Sequence, residues 1–595
     1  MDESSPLAVH ETATYQALHN DLIFSQICEL IRSVQGYFGW LDLAFRLLRS
    51  LAGTCRAFYL PALKALWRNM KTIFPLVQTM PADCWEIVHS RSNFSTIDNI
   101  HKLKFTRPIT ASDCERFRFY APLIRTLQTD YQPGDFVVNP NVFQSLGAVH
   151  RNEFREVILL PSLDELHWYV DDDDLIFPHF LMFVNPNLRK LSIGLGGDLN
   201  LRTSFLHQIP VMCPNLQSLS LPGGDDPARM VAVSNLLCYL PRLKSFSFDA
   251  ISTDTFIRLS RHSELTKFKV EWLSFIDWNV VANQLQGRPA FPSLKKVEVY
   301  SATAQAHCHG LLESTRSSLC SVTFRMSDCQ TGSSYYRLLT AIQYHCSQSL
   351  HKIYLMSSPE SPDATAIHPN MDPLLPTHLA PLFAFPDLTC LDIDPTSNIE
   401  VDDNWIQKIA ESLPKIQTFM LLSSKNSDPD RSPRTLPKLT INCLVHFALN
   451  CPHLEHLGLA FYAQGAELSE QVSRRPSLHP TNLGILTVGY SPIWPVDVYT
   501  VAAIFSDWFP NIYLIQAGPV SSGGSDDGPM MREMQGIWTR VEKTIPRILK
   551  IRDQERRSVS RSLAMNQSGS SGGNAETQPE NVPNGTSNDA MDVDG

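Results

Sequence analysis

His307, Cys308 and His309, with Cys320, Cys329, His345 and Cys346 downstream, are the residues whose types could hold a transition metal. Their spacing matches no paired Cys-x-x-Cys or His-x-x-x-His arrangement, so they read as scattered structural residues and no metal is expected. Asp171 to Asp174 carries the charge of a calcium loop without its alternating ligands or its bidentate glutamate, and reads as a solvated connection. Gly194-Leu195-Gly196-Gly197-Asp198 lacks the Lys-Ser/Thr of a phosphate loop and begins where a strand should end. Arg552, Arg556, Arg557 and Arg561 form a small basic cluster, read as a solvated helix end before an import signal. No nucleophile and base stand in an order or spacing that suggests catalysis. The chain is therefore expected to bind rather than to react, without a cofactor.

The elements that would position a binding surface are repeated. Pro186-Asn187-Leu188-Arg189-Lys190-Leu191-Ser192-Ile193 returns as Pro214 to Leu221 and as Pro241 to Phe248, and again from Pro292, Pro386, Pro414 and Pro452. The leading apolar residues are Leu163, Leu188, Leu216, Leu243, Leu265, Leu294, Leu319, Leu350, Leu388, Ile416, Leu454, Leu483 and Ile512, most of them roughly 22 to 31 residues apart. The longer intervals, Leu350 to Leu388 and Ile416 to Leu454, contain Ser/Pro/Asp-rich inserts, Ser357 to Asp363 and Ser423 to Pro433. Earlier copies are degenerate: Ile100 to Phe105, Ile124 to Leu127 and Phe154 to Leu159.

Each apolar pair with one residue between predicts a short strand with two faces. The stretch before each proline, such as Val231 to Leu240, predicts a helix, which proline ends because it lacks the N–H and disfavours helix in the preceding residue. One helix and one strand per unit cannot bury their own apolar face, so the units must stack. The expected fold is α/β: a curved leucine-rich-repeat solenoid over 99–551. Stacking should bury Leu191, Leu219, Phe246, Phe268, Val297, Val322, Ile353, Leu391, Phe419, Leu457 and Leu486 as one ladder.

An array escapes the size limit that 595 residues would place on a single core. The net charge of −10 gives no global electrostatic case for nucleic acid. No apolar stretch reaches membrane-spanning length, and Met1 to His10 has no basic segment followed by an apolar run. The scattered cysteines suit a reduced compartment, so an intracellular protein, cytoplasmic and/or nuclear, is expected, and the Asn93-Phe94-Ser95 sequon is idle. From Ser560 onward the composition turns to Ser, Gly, Asn and Pro, and 560–595 is expected to be a disordered tail.

The N-terminal region, 14–81, has a different texture. Leu22-Ile23-Phe24-Ser25-Gln26-Ile27-Cys28 opens an amphipathic helix, Leu51-Ala52-Gly53-Thr54-Cys55-Arg56-Ala57-Phe58 follows, and Leu63-Lys64-Ala65-Leu66-Trp67 closes the region. This stretch resembles the F-box, and its union with irregular, cysteine-containing repeats and a polar tail is similar to the F-box families of mushroom-forming fungi. The resemblance implies that Leu22, Ile23, Ile27, Thr54, Cys55, Leu63 and Trp67 build or present a surface for a Skp-type adaptor. Through that adaptor the chain would join a cullin-RING ubiquitin ligase, with the repeats holding the substrate protein. Two departures, His19-Asn20-Asp21-Leu22 in place of the usual leucine–proline start and the Ser33-to-Arg49 insert, leave a second reading open: a repeat scaffold with a decayed F-box and no part in ubiquitin transfer.

On the concave face, the strand positions pointing away from the core read Lys267, Lys269, Glu271; Lys296, Glu298, Tyr300; Ser321, Thr323, Arg325; Lys352, Tyr354, Met356. One reading is ordinary solvated strand faces. The other is a substrate groove in which Lys267, Lys269, Lys296, Arg325 and Lys352, with Tyr300 and Tyr354, take an acidic or phosphorylated segment through charge-assisted bonds. The alternative place is the C-terminal aromatic end near Tyr490, Trp494 and Trp508.

Overall fold

Proline and leucine do separate jobs in the repeats that carry both. The proline lies past the end of the helix, seven residues past it at Pro292, where Gln286 at φ 48° has already ended the helix. The leucine two residues after the proline plugs the core: Leu216, Leu243, Leu294 and Leu388 are all buried. The strand then begins two residues beyond, at Ser218, Ser245, Lys296 and Cys390. Entry to each strand is fastened to the repeat before it, because two successive amides donate to one carbonyl. Gln217 and Ser218 donate to the Arg189 carbonyl at 2.8 and 2.9 Å, Lys244 and Ser245 to that of Gln217 at 2.7 and 3.0 Å, and the pattern continues to Tyr513 and Leu514 on Gly484.

The computed structural model describes residues 20–33, 37–90, 100–130, 136–155, 158–169, 174–302, 305–315, 319–326, 331–346, 348–357, 372–423, 437–466, 481–518 and 529–569. The repeat strands, with one earlier strand, form a parallel 15-stranded sheet. It begins with β1 (Asn69–Met70), passes over β2 (Trp85–Ser90) and β3 (Ile100–Phe105) to β4 (Thr126–Asp130), and over β5 (Phe136–Val138) to β6 (Glu165–Tyr169). It then runs without a skip through β7 (Lys190–Ile193), β8 (Ser218–Leu221), β9 (Ser245–Ala250), β10 (Lys267–Trp272), β11 (Lys296–Ala302), β12 (Ser321–Met326) and β13 (Lys352–Ser357). The last strands are β14 (Cys390–Asp394), β15 (Thr418–Leu421), β16 (His456–Leu459), β17 (Ile485–Gly489) and β18 (Leu514–Ala517). The protein is a repeat solenoid of mixed α/β composition.

Register makes the apolar ladder literal. Leu191 pairs with Leu219, Phe246 with Phe268, Val297 with Val322, Ile353 with Leu391, and Phe419 with Leu457 and on to Leu486. Every one of these side chains is buried. Burying each large apolar side chain contributes roughly 1.5–3 kcal/mol against the entropy of ordering it.

Three expectations about boundaries are corrected. Ile100 to Phe105 is a strand but lies off the ladder, in a small sheet where β3 pairs antiparallel with β2 and parallel with β5. The described residues of the stretch Phe154 to Leu159 include no strand: His150–Phe154 is a wide helical turn that Arg155 ends at φ 55°. The polar composition after Ser560 does not stop the helix that precedes it, which runs to Gly569. The rest of that tail, the Asn93 sequon and most of both inserts lie outside the described residues.

The N-terminal region consists of α1 (Asp21–Ser33), α2 (Tyr37–Ala52) and α3 (Arg56–Trp67), so most of the Ser33-to-Arg49 insert is helix rather than loop. Phe24, Cys28, Leu48, Ala62 and Ala65 form a small core of their own, with Phe24 and Phe58 stacked 4.1 Å apart. These helices also start the sheet: Arg125 and Thr126 donate to the carbonyl of Arg68, directly after α3, and Arg32 donates to that of Asn69 in β1.

Further along, α4 (Pro227–Leu237), α5 (Asp403–Ser412) and α6 (Cys443–Asn450) precede their prolines as the pattern requires. At the far end α7 (Val498–Trp508) packs on α8 (Pro529–Gly569), and Trp538 of α8 is buried against Phe461 and Phe505. The Glu542 carboxylate accepts from the Ile515 amide at 2.8 Å, occupying part of the edge that β18 would otherwise present to another chain.

Candidate functional site

The open face of the sheet, opposite the buried ladder, is read across adjacent strands. Lys267, Lys296, Ser321, Lys352 and Cys390 share one row, and Lys269, Glu298, Thr323, Tyr354 and Asp392 share the next. Tyr300, Arg325, Met356 and Asp394 lie on a third. The structure therefore brings together all the residues expected of the concave stripe, but it does not leave them equivalent.

Glu298 divides them. It is only 7% exposed, and its carboxylate lies 2.7 Å from Lys296 Nζ and 3.4 Å from Lys267 Nζ. Burial alone would push its pKa up, but the hydrogen bond from Lys296 and the charges of both lysines outweigh that and hold it below the usual range. Two lysines expected to meet a ligand are thus already paired. Lys269 Nζ sits 4.5 Å over the ring of Tyr300 and the Arg325 guanidinium 5.7 Å over the same ring, so the tyrosine lies between two cations. Burial, first, and the nearby Glu298 charge raise the pKa of the Tyr300 hydroxyl, which therefore stays protonated.

Lys352 and Arg325 are exposed and have no carboxylate within ion-pair distance among the described residues. Next to them, burial and the charge of Asp394 push the Asp392 carboxyl up to about 6. Earlier strands repeat the pairing seen at Glu298, since Lys190 Nζ meets Glu165 at 2.6 Å on the same face. Among the described residues the stripe is a mosaic of paired and unpaired cations.

The residues expected of the adaptor surface separate as well. Leu22 is 70% exposed and Ile23 is exposed beside it, whereas Ile27 is half-buried and Leu63 buried. Trp67 is not a free contact: its ring stacks on Tyr120 at 4.4 Å and packs against the solenoid core. Thr54 and Cys55 are exposed but shape the turn into α3, with Thr54 Oγ1 donating to the Leu51 carbonyl at 2.7 Å and Cys55 standing at the helix cap. Sequence reasoning passed over the other exposed apolar side chains of this region: Leu30, Leu43, Phe45, Leu47, Tyr59 and Leu60. Their signal was present, because Leu43 and Leu47 share a helix face that excludes the buried Leu48.

Elsewhere, Cys308 and Cys346 are buried, His307 accepts from Trp278 Nε1 at 2.9 Å, and the rings of His309 and His345 meet edge to face. Asp174 pairs with the fully buried Arg202 at 3.0 Å, and Gly197, at φ 79°, lies against both, so that loop is occupied by its own packing. Arg552 makes a bidentate pair with Asp507, while Arg556, Arg557 and Arg561 are exposed along α8. Trp508 is buried, Tyr490 half-buried and Trp494 exposed. No helix among the described residues is long and apolar enough to cross a membrane.

No protein-family model matches the chain, and no curated protein matches it. Among solved structures it is similar to the complex of Rad7 and Elc1 in yeast, at 12% sequence identity and a TM-score of 0.36, over 89% of this chain and 97% of that chain.

Proposed function

We propose that the chain is an intracellular substrate receptor with no chemistry of its own. Its N-terminal helices dock a Skp-type adaptor, and through it a cullin-RING ubiquitin ligase, while the open face of the solenoid holds a substrate protein. The observation that carries this reading is the apolar surface of α1, α2 and α3. The three helices bury a small core yet leave Leu22, Ile23, Leu30, Leu43, Leu47 and Leu60 exposed, in the region whose sequence resembles the F-box. Apolar side chains gathered at this density on a small helical unit mark a surface that a partner covers.

The test is co-purification of the full chain with a Skp-type adaptor. Retention of the adaptor by the native chain, and its loss in a Leu22→Asp/Leu60→Asp variant with an unchanged melting temperature, is the expected result. A folded native chain that retains no adaptor overturns it. The second reading, a repeat scaffold outside ubiquitin transfer, is favoured by the helix Tyr37–Ala52, which fills the insert between the two F-box-like segments. Co-isolation of the chain with a cullin excludes that reading.

A further inference from the structure

The helix α8 has two opposite faces along its length. Ile537, Trp538, Val541 and Ile545 are buried against the end of the solenoid. On the far side stand Arg532, Lys543, Arg547, Lys550, Arg557 and Arg561, all exposed. At about 100° per residue these six cations fall within an arc of about 80°, centred opposite the buried side chains. With a rise of about 1.5 Å per residue, the stripe from Arg532 to Arg561 is about 43 Å long.

No carboxylate lies within that arc. Glu533 and Asp553 stand about 40° outside its two edges. Glu542 and Glu555 lie farther round the helix, and the Glu542 carboxylate is taken up by the Ile515 amide. Asp553 follows Lys550 by three residues and precedes Arg557 by four, yet it pairs with neither. None of the six cations has an ion-pair partner among the described residues. Lys543 and Arg547, Arg547 and Lys550, and Arg557 and Arg561 stand three or four residues apart, where like charges weaken a helix. An anion laid along the stripe relieves that repulsion.

The complementary charge follows the helix directly. Residues 570–595 hold Glu576, Glu580, Asp589, Asp592 and Asp594 and no lysine, arginine or histidine. Pro529–Gly569 carries a formal charge of +5 and 570–595 one of −5, which leaves the whole net charge of −10 on 1–528. A long external polyanion such as a nucleic acid, laid on the stripe, would run into the field of that acidic body. A short acidic segment would not. The 20 residues from Gly569 to Asp589 span up to about 66 Å when extended, against about 39 Å along the helix from Gly569 back to Lys543. Covalent attachment sets the effective concentration of the two near the millimolar range.

We propose that 570–595 folds back along the basic stripe of α8 and neutralises it within the same chain. Each exposed pair contributes little, so the contact comes from several acting together and loosens as salt rises. While the segment lies there, the stripe is closed to other polyanions. This inference goes beyond the receptor reading and does not depend on it.

The test is carbodiimide cross-linking of the full chain at low and high salt, read by peptide mass spectrometry. At low salt the monomer should contain links from Lys543 or Lys550 to Asp589, Asp592 or Asp594, and about 0.5 M salt should reduce them at least about fivefold. The pairs Lys190–Glu165 and Lys415–Asp387, each at 2.6 Å, show that the chemistry has worked. A second arm measures binding of a single-stranded oligonucleotide by fluorescence anisotropy. The triple variant Asp589→Asn/Asp592→Asn/Asp594→Asn should bind it at least about threefold more tightly than the native chain. Adding Lys543→Gln, Lys550→Gln and Arg557→Gln should cancel that gain. Cross-linking of the control pairs without links between stripe and segment overturns the proposal, as do links found only between two chains. Equal binding of the oligonucleotide by the native chain and the triple variant also overturns it, and tight binding by both would make the stripe an open nucleic-acid surface instead. Melting temperatures of the variants control for folding.

Discussion

Lys296 and Glu298 stand two residues apart on a single strand, hence on the same open face, and meet there at 2.7 Å, while Glu298 also lies 3.4 Å from Lys267 of the neighbouring strand. One carboxylate therefore sets the charge that two lysines present. Replacing it with glutamine, Glu298→Gln, should release both. The variant should bind a polyglutamate peptide measurably, with an affinity that falls as salt rises. Because both lysines are half-exposed, the stability lost should be no more than about 1 kcal/mol by denaturant midpoint. Unchanged polyglutamate binding would show that the pair does not limit the charge of this face.

The buried ladder is the most exacting test of the fold. Val322 is fully buried and pairs with Val297 on one side and Ile353 on the other. Val322→Asp places an unpaired carboxylate there and should cost several kcal/mol, seen as loss of cooperative unfolding by circular dichroism. A variant that melts like the native chain would contradict the stacking.

The ladder was legible because it depends only on local period: proline, leucine and an alternating apolar pair recur wherever a strand must bury one face. The open face was legible as a set of positions but not as a site. Whether Lys296 is free or held depends on Glu298, and the burial of Glu298 follows from strand stacking, not from spacing. Trp67 shows the same limit, since its partner Tyr120 lies beyond the region that made it look like an adaptor contact. The end of α8 was misplaced for a different reason. Ser and Asn lower helix propensity without forbidding it, and the helix is already anchored through Trp538 and the Arg552–Asp507 pair before that composition begins.

That anchoring makes the C-terminal helix a cap with a local failure mode. The Trp538 ring fills the space between Phe461 and Phe505, and its Nε1 donates to the Ser491 carbonyl at 3.0 Å. Trp538→Ala should lose about 3–5 kcal/mol of local stability. In a solenoid, units contact only their neighbours, so amide exchange should accelerate in β17 and β18 first and leave β7 to β9 protected. Uniform acceleration along the whole array would show that the cap is not a separable unit.

Asp392 offers a test on the pH axis. Burial, and then the charge of Asp394, raise its carboxyl to about 6, above the ordinary aspartate value that the unfolded chain would have. A group whose folded pKa is raised binds its proton more tightly in the fold. Its favourable contribution is complete below about pH 4 and is lost as pH rises through 6, leaving a poorly solvated carboxylate at neutral pH. Asp392→Asn keeps the shape and removes that charge. The variant should be more stable than the native chain at pH 7.5, and its advantage there should exceed its advantage at pH 5 by about 1 kcal/mol. Denaturant titrations at the two pH values measure the difference directly, and an equal gain at both would mean that Asp392 does not titrate between them.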